Sequence, residues 1–293
     1  MSPKLPVTVI GGYLGAGKTT LVNHLLRNAN GLRLAVLVNE FGELAIDEDL
    51  IEAEGDDIIS IAGGCVCCSF GSDLTGAMMD LAKLDPPPDH LIIESSGVAI
   101  PSAIVGTVSL LPTFRVDGIV ILADAETLRT SANDKYMGDT VLRQISDANI
   151  VVLNKTDLVD EETALETTRW LERQNSDVRI IEAIQGAVPL EVLFDSFVVA
   201  AVASTKHYET GNLKMSTLEI KEPIDVEALA KKLVRKSSGL IRAKGFAMNL
   251  DGELSLIQVV GNRWEVSLAK TSDNIGIVCL GMEGEVALDD LYL

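Results

Sequence analysis

From residue 5 to about 200 the chain alternates short, continuous apolar runs with longer stretches whose apolar residues return every third or fourth position. The runs are LPVTVIGG, LRLAVLVNE, DDIISIAGG, HLIIESSG, VDGIVILADA, ANIVVLNKTD and VRIIEAIQG. They are rich in β-branched residues and close on Gly, Asn, Asp or Glu, which predicts strands buried on both faces with functional groups at their C-terminal ends. KTTLVNHLLRNA, SDLTGAMMDLAKL, the stretch following IPSAIVG, and EETALETTRWLERQ carry the helical period between them. Strand and helix in this alternation predict a doubly wound α/β domain with a mostly parallel sheet, whose ligands collect at the C-terminal edge of the strands.

PLEVLFDSFVVAAVAS predicts a helix that closes this domain, 1–204, and TKHYETGN, 205–212, a polar linker. Beyond it the period changes. LKMSTLEIK alternates, VEALAKKLVRKSSG reads as an amphipathic helix ended by Gly239, and LIRAKGFAMNL-DG-ELSLIQVVG predicts a hairpin turning at Asp251-Gly252. With WEVSLAK and NIGIVCLGM as further strands, residues 213–293 predict a small α+β domain. A chain of 293 residues has room for one large domain and a smaller companion.

Between the first run and the first helical stretch lies GYLGAGKT, Gly12 to Thr19, which fits G-x-x-x-x-G-K-[ST] without mismatch. The motif requires strand, glycine-rich loop and helix in that order. The glycines, with Ala16 among them, bring backbone N–H groups and a helix N-terminus onto phosphate oxygens. Lys18 bridges the outer phosphates and the Thr19 hydroxyl binds Mg²⁺. Glu94 ends HLIIE, where a carboxylate can hold a Mg²⁺-bound water or position the attacking water, and Gly97 can offer an N–H to the γ-phosphate. Lys18 and Glu94 are thus the candidate catalytic residues. Asp124, in VILADA, is a further strand-end acid of this kind.

NKTD, Asn154 to Asp157, follows the run IVVL and precedes a helical stretch. The Asp157 carboxylate can accept from N1–H and the 2-amino group of guanine, whereas adenine offers neither donor and would strand a buried charge. Asn154 can contact N7 and brace the loop, and the aliphatic stem of Lys155 can cover the base plane. Ala183, at the end of the next run, can offer its backbone N–H to guanine O6. About 135 residues after a phosphate loop, this motif predicts GTP rather than ATP.

Composition changes the picture in two places. Asp and Glu number 43 against 24 Lys and Arg, a formal net charge of −19, which repels phosphate backbones and anionic lipid. Nucleic acid and membrane surfaces are therefore not expected partners. The N-terminus MSPKLPVTVIGG shows no charged leader before a long apolar stretch, and no run approaches the roughly 20 apolar residues that span a bilayer, so the expected location is the cytoplasm.

The second place is sulfur, because Cys65, Cys67 and Cys68 in GGCVCCS are three of only four cysteines. In a reducing compartment such a cluster predicts a metal or redox site rather than a disulfide framework. Cys65 and Cys67 face the same way in an extended segment, and Cys68 joins them only if Gly63-Gly64 lets the loop turn. Two or three thiolates select Zn²⁺, Co²⁺ or Cu(I) over Mg²⁺. A structural zinc would want four closed protein ligands, and no second CxxC or HxxxH is at hand, so the set suits a metal that must leave again. The alternatives are a structural or dimer-bridging zinc, a redox-active pair, and a regulatory GTPase with incidental cysteines. Cys279 and the Met78-Met79 pair read as core, His24 as a packed or surface residue, and His90, after DPPPD, as solvated.

Phosphate loop, GGCVCCS, ESSG and NKTD in this order resemble the P-loop GTPases that serve metalloenzyme assembly, most closely their CobW-like metallochaperone branch. VNEFGELAID, 38–47, resembles that family's segment after the second strand, and RAKGF, 242–246, with IQVVG, 257–261, its C-terminal domain. The resemblance covers essentially the whole chain. It implies a GTPase of low intrinsic rate that binds zinc or cobalt at C-x-C-C and delivers it to a client metalloprotein or metal-insertion complex. Carried onto this sequence, Gly12, Gly15, Gly17, Lys18, Thr19 and Thr20 hold phosphates and Mg²⁺. Glu94 and Gly97 form the second nucleotide motif, Asn154, Lys155 and Asp157 read guanine, and Cys65, Cys67 and Cys68 match the metal motif. Glu40, Glu43 and Asp47 fall in a segment resembling the first switch, where carboxylates can serve Mg²⁺ or the transferred metal.

Two departures stand out. Ile100 precedes Pro101 where relatives carry an acidic or polar residue, and His207 alone stands where many have a histidine-rich stretch. Because the cysteine loop lies between the switch segment and Glu94, GTP·Mg²⁺ that orders the switch could complete the metal site, and hydrolysis could loosen it. By linkage the metal would then tighten GTP binding by the same factor. The identity of the metal, the client, and whether the chain forms a homodimer stay open at this level.

Overall fold

A computed structural model describes residues 4–29, 31–39, 58–63, 72–194, 213–269 and 275–282. The chain divides into two compact units, residues 1–176 with 180–193, and residues 177–179 with 194–293. The expected linker, 205–212, lies outside the described residues.

In the first part of the chain every apolar run is a strand: β1 (Leu5–Gly12), β2 (Leu34–Asn39), β3 (Ile58–Gly63), β4 (His90–Glu94), β5 (Phe114–Asp124), β6 (Ile150–Asn154) and β7 (Arg179–Ala183). Between them lie α1 (Lys18–Arg27), α2 (Ser72–Leu81), α3 (Pro101–Ser109), α4 (Leu128–Ala132), α5 (Gly138–Asp147), α6 (Glu161–Gln174) and α7 (Leu190–Leu193). α6 coincides with the predicted EETALETTRWLERQ, its N-terminus capped by Asp160, whose carboxylate accepts from Thr163 N. α3 starts earlier than expected, with Pro101 in its first turn, where the missing N–H costs nothing. α4 and α5 were not foreseen. α4 is a single turn with little period to read, whereas α5 does bury a helical stripe, but two of its four members, Gly138 and Gln144, are not apolar.

Among the described residues seven strands form one sheet in the order β3-β2-β4-β1-β5-β6-β7. The registered pairs from β3 across to β6 are all parallel. β1 sits between β4 and β5, so the chain reverses direction of travel there, and the crevice at the strand ends is where such sheets bind ligands. Val7, Val9, Leu91 and Ile93 pack with Leu74, Met78 and Leu81 of α2 and Ile104 and Val108 of α3. The alternate residues Thr8, Ile10 and Ile92 are also wholly buried, so these strands are covered on both faces.

Two expectations are overturned here. His90 is not solvated: it is fully buried at the start of β4, its Nε2 2.8 Å from Thr8 Oγ1 on the adjacent strand. Met78 is core, but Met79 is 38% exposed, because consecutive helical positions cannot share a face. Of the predicted closing helix, Leu190–Leu193 form α7, and residues 195–204 lie outside the described residues.

The second part is a five-stranded sheet of order β11-β10-β9-β12-β8, made of β8 (Leu213–Leu218), β9 (Leu240–Met248), β10 (Leu254–Val260), β11 (Arg263–Leu268) and β12 (Gly276–Met282). Every registered pair is antiparallel. α8 (Val226–Leu233) lays Leu229, Ala230 and Leu233 on Ala243, Ala247, Ile257, Val259 and Cys279. The hairpin turns where predicted, with Gly252 at φ +80° and Asn249 Oδ1 accepting from the N–H groups of Asp251 and Glu253. Cys279 is fully buried, and burial pushes its thiol up to about 12, so it stays protonated and inert. No helix among the described residues is long and apolar enough to cross a membrane.

Candidate nucleotide site

The parallel register brings the sequence motifs to one edge. Ile10 pairs with Glu94, Gly12 with Leu122, and Asp124 with Asn154, so the phosphate loop, Glu94, Asp124 and NKTD all leave the sheet at the same end. Ser95 N donates to Ile10 O at 2.8 Å, which continues the pairing of β1 and β4 into the loops.

The loop from Tyr13 to Gly17 closes on itself through Ala16 N to Tyr13 O at 3.2 Å, with Gly15 and Gly17 at φ +76° and +101°. Gly17 is doubly required, since its backbone is left-handed and a side chain there would strike Asn154 Nδ2. α1 then begins with no acidic residue in its first turn and no side-chain cap, so its positive end is left for an anion. Lys18 and Thr19 are half-buried at this end, and Thr20 is exposed.

Thr19 Oγ1 donates to Glu94 Oε1 at 3.0 Å, and Glu94 is 4% exposed. Gly97, three residues on, is pressed against the phosphate loop: a Cβ there would lie 2.9 Å from Leu14 N. Its carbonyl accepts from Gln144 Nε2 at 3.1 Å, and the same amide donates to Ala99 O at 2.9 Å. Gln144 was missed at the sequence level. Its signal was a polar residue in the apolar stripe of α5, between Val141 and Ile145, both buried.

NKTD is laid out by its first two residues. Asn154, 2% exposed, donates to Ala16 O at 2.9 Å and accepts from Gly186 N at 2.9 Å, so one amide ties the phosphate loop to the loop after β7. Lys155 sits at φ 62°, ψ 34°, a left-handed conformation costly for a residue with a Cβ and typical of a functional constraint. Its ammonium lies 2.7 Å from Asp124 Oδ2. Asp124 Oδ1 accepts from the N–H groups of Glu126 and Thr127 at 2.9 and 3.3 Å. The acid expected to join Glu94 at the phosphates is thus engaged with the lysine of NKTD.

Asp157 is exposed in the 3₁₀ turn Thr156–Leu158, beside an open hollow of about 390 Å³ also lined by Thr156, Glu161, Glu182 and Ile184. Ala183 ends β7, buried, with its carbonyl accepting from Thr156 Oγ1 at 3.3 Å. Glu40, Glu43, Asp47, Cys65, Cys67 and Cys68 lie outside the described residues. Among the described residues no group of three or more His, Cys, Asp or Glu is placed to hold a metal.

The family model for the CobW/HypB/UreG nucleotide-binding domain matches residues 6–182. The chain is 31% identical over 274 residues to the zinc chaperone YjiA of Escherichia coli, covering 86% of this chain and 84% of that protein. It is 35% identical over 221 residues to the zinc chaperone CobW of a Sinorhizobium species, covering 65% of this chain and 62% of the relative's length. It thus spans less than two thirds of that relative. In fold, it is similar to the crystal structure of Zn(II)-bound YjiA GTPase from E. coli, with a TM-score of 0.50 and 24% identity over 99% of this chain and 97% of that one. A match over more than half of the chain, on the segment that holds the phosphate loop, Glu94 and NKTD, makes this protein a member of the CobW/HypB/UreG family.

Proposed function

We propose that the protein is a GTP-binding, GTP-hydrolysing metallochaperone that takes a transition metal, zinc or cobalt, at Cys65, Cys67 and Cys68 and delivers it to a client metalloprotein. The bond from Thr19 Oγ1 to Glu94 Oε1 at 3.0 Å carries the nucleotide half of this reading. It joins the phosphate loop to the second motif at the helix end where outer phosphates would lie. A threonine hydroxyl and a buried carboxylate in contact are oxygen donors of the kind Mg²⁺ takes, so the residues present fit that ion. Mg²⁺ there would neutralise β- and γ-phosphate charge.

The remaining roles belong to this chain's own groups. Lys18 at the start of α1 would pair with the outer phosphates, the Gly97 N–H would meet the γ-phosphate, and the Asp157 carboxylate would accept from guanine. Asn154 would hold the base loop against the phosphate loop. The metal half is supported by the C-x-C-C motif and by relatives named zinc chaperones.

Phosphate release from GTP and ATP, with and without Mg²⁺, tests the first half: Mg²⁺-dependent turnover of GTP alone is expected, lost in Lys18→Ala. Equal use of ATP would contradict it. Competition for Zn²⁺ and Co²⁺ against a chromophoric chelator tests the second, and a Cys67→Ala protein that holds metal like the parent would refute the site.

A further inference from the structure

We propose that Gln144 is a positioning residue for GTP hydrolysis, fixing the Gly97 turn against the phosphate loop; this rests on the nucleotide reading above. Gln144 is 1% exposed in the apolar stripe of α5, a place where leucine or methionine would serve if packing were the sole demand. Both of its amide hydrogens are used on one target, the carbonyls of Gly97 at 3.1 Å and Ala99 at 2.9 Å. One helical turn on, Asp147 Oδ2 accepts from Ser102 N at 2.9 Å, so α5 grips the segment from Gly97 to Ser102 at both ends.

Because peptide groups are planar, fixing those two carbonyls also fixes the N–H groups of Val98 and Ile100. Gly97 itself is wedged on Leu14 of the phosphate loop. The turn therefore stands between the phosphate loop and Gln144, directly after Glu94. Guanine and the inner phosphates would be served by residues 12–19 and 154–157, whereas the Gln144 amide donates to Gly97 and Ala99. Its loss should consequently be felt where the γ-phosphate reacts and spare the binding of GDP.

The test uses Gln144→Leu, which keeps bulk and removes the amide, and Gln144→Glu, whose carboxylate repels the two carbonyls but regains one donor on protonation. For Gln144→Leu, kcat should fall roughly 10- to 100-fold while the GDP dissociation constant stays within about twofold of the parent's. Gln144→Glu should recover kcat as the pH is lowered, a rise absent from the parent and from Gln144→Leu. Hydrogen exchange of residues 95–102 in the GDP-bound protein should quicken in Gln144→Leu. Parent-like kcat in Gln144→Leu, or an equal loss of GDP and GTP affinity with unchanged turnover of the bound enzyme, would overturn the proposal. If the parent hydrolyses no GTP, the nucleotide reading itself fails, and unchanged exchange at 95–102 would separately remove the clamp.

Discussion

The Lys155 ammonium lies 2.7 Å from the Asp124 carboxylate, and the two residues leave adjacent, paired strands at the same edge. The Asp124 side chain is 11% exposed and that of Lys155 32%, so the pair is partly shielded from water. With its head anchored and its backbone left-handed, Lys155 has its stem held between two fixed points, which suits the proposed base-covering role. Asp124→Asn should weaken GDP binding several-fold, and Lys155→Met likewise. The double variant should fall short of the sum, with a coupling of about 1 kcal/mol in fluorescence-monitored nucleotide titrations. Strict additivity would show that the pair is not part of the base site.

Asn154 spends its donor and its acceptor on two different loops. Asn154→Ala would leave Ala16 O and Gly186 N without that amide, a loss of about 1–3 kcal/mol that should appear as a lower Tm without nucleotide. Asn154→Asp can still accept from Gly186 N but sets a buried carboxylate against Ala16 O, and should lower Tm at least as much as Asn154→Ala. An unchanged Tm in Asn154→Ala would mean that the bridge is absent in solution.

For the base itself, Asp157→Asn should lower GTP affinity and raise that for xanthosine triphosphate, because an amide can donate to the extra carbonyl of xanthine. The exposed setting of Asp157 in the Thr156–Leu158 turn leaves room for the exchange. A variant with the parent's GTP preference would take Asp157 out of base recognition.

His24 on α1 gives a pH signature. Partial burial holds its imidazole below the ordinary value of 6.5, a backbone bond with Val188 opposes the shift, and the Arg27 charge adds to it. The unfolded chain then binds the proton first, so the stabilisation is complete above the unfolded value and is lost as the pH falls through the lowered folded value. Tm measured down through this range should decline, and His24→Gln should flatten the slope. A slope identical in the variant would assign it to other groups.

Much of this was written in the sequence. Seven strands were legible because each is a continuous apolar run, and the meeting of the phosphate-loop and NKTD segments at one sheet edge because each directly follows such a run. α4 was not, since a single turn leaves little period to read, and α5 was not because two members of its buried stripe, Gly138 and Gln144, are not apolar. His90 was misjudged from its neighbours: DPPPD reads as solvated loop, but the next residue is already inside the sheet, facing Thr8. What Asp124 and Gln144 bond to could not be read from local pattern. Their partners are 31 and at most 47 residues away in sequence and meet only through the register and the packing of α5.

The most direct test of coupled GTP and metal binding is a Zn²⁺ titration of the parent protein, by competition with a chelator, without nucleotide, with GDP·Mg²⁺ and with a non-hydrolysable GTP analogue and Mg²⁺. Zinc should bind tighter with the GTP analogue than with GDP by at least about 5-fold, the lower range of coupling between linked sites, and zinc should tighten the analogue by the same factor. Cys67→Ala should abolish both effects. Equal zinc affinity in all three nucleotide states, in a protein that binds both ligands, would contradict the coupling and leave two independent sites on one chain.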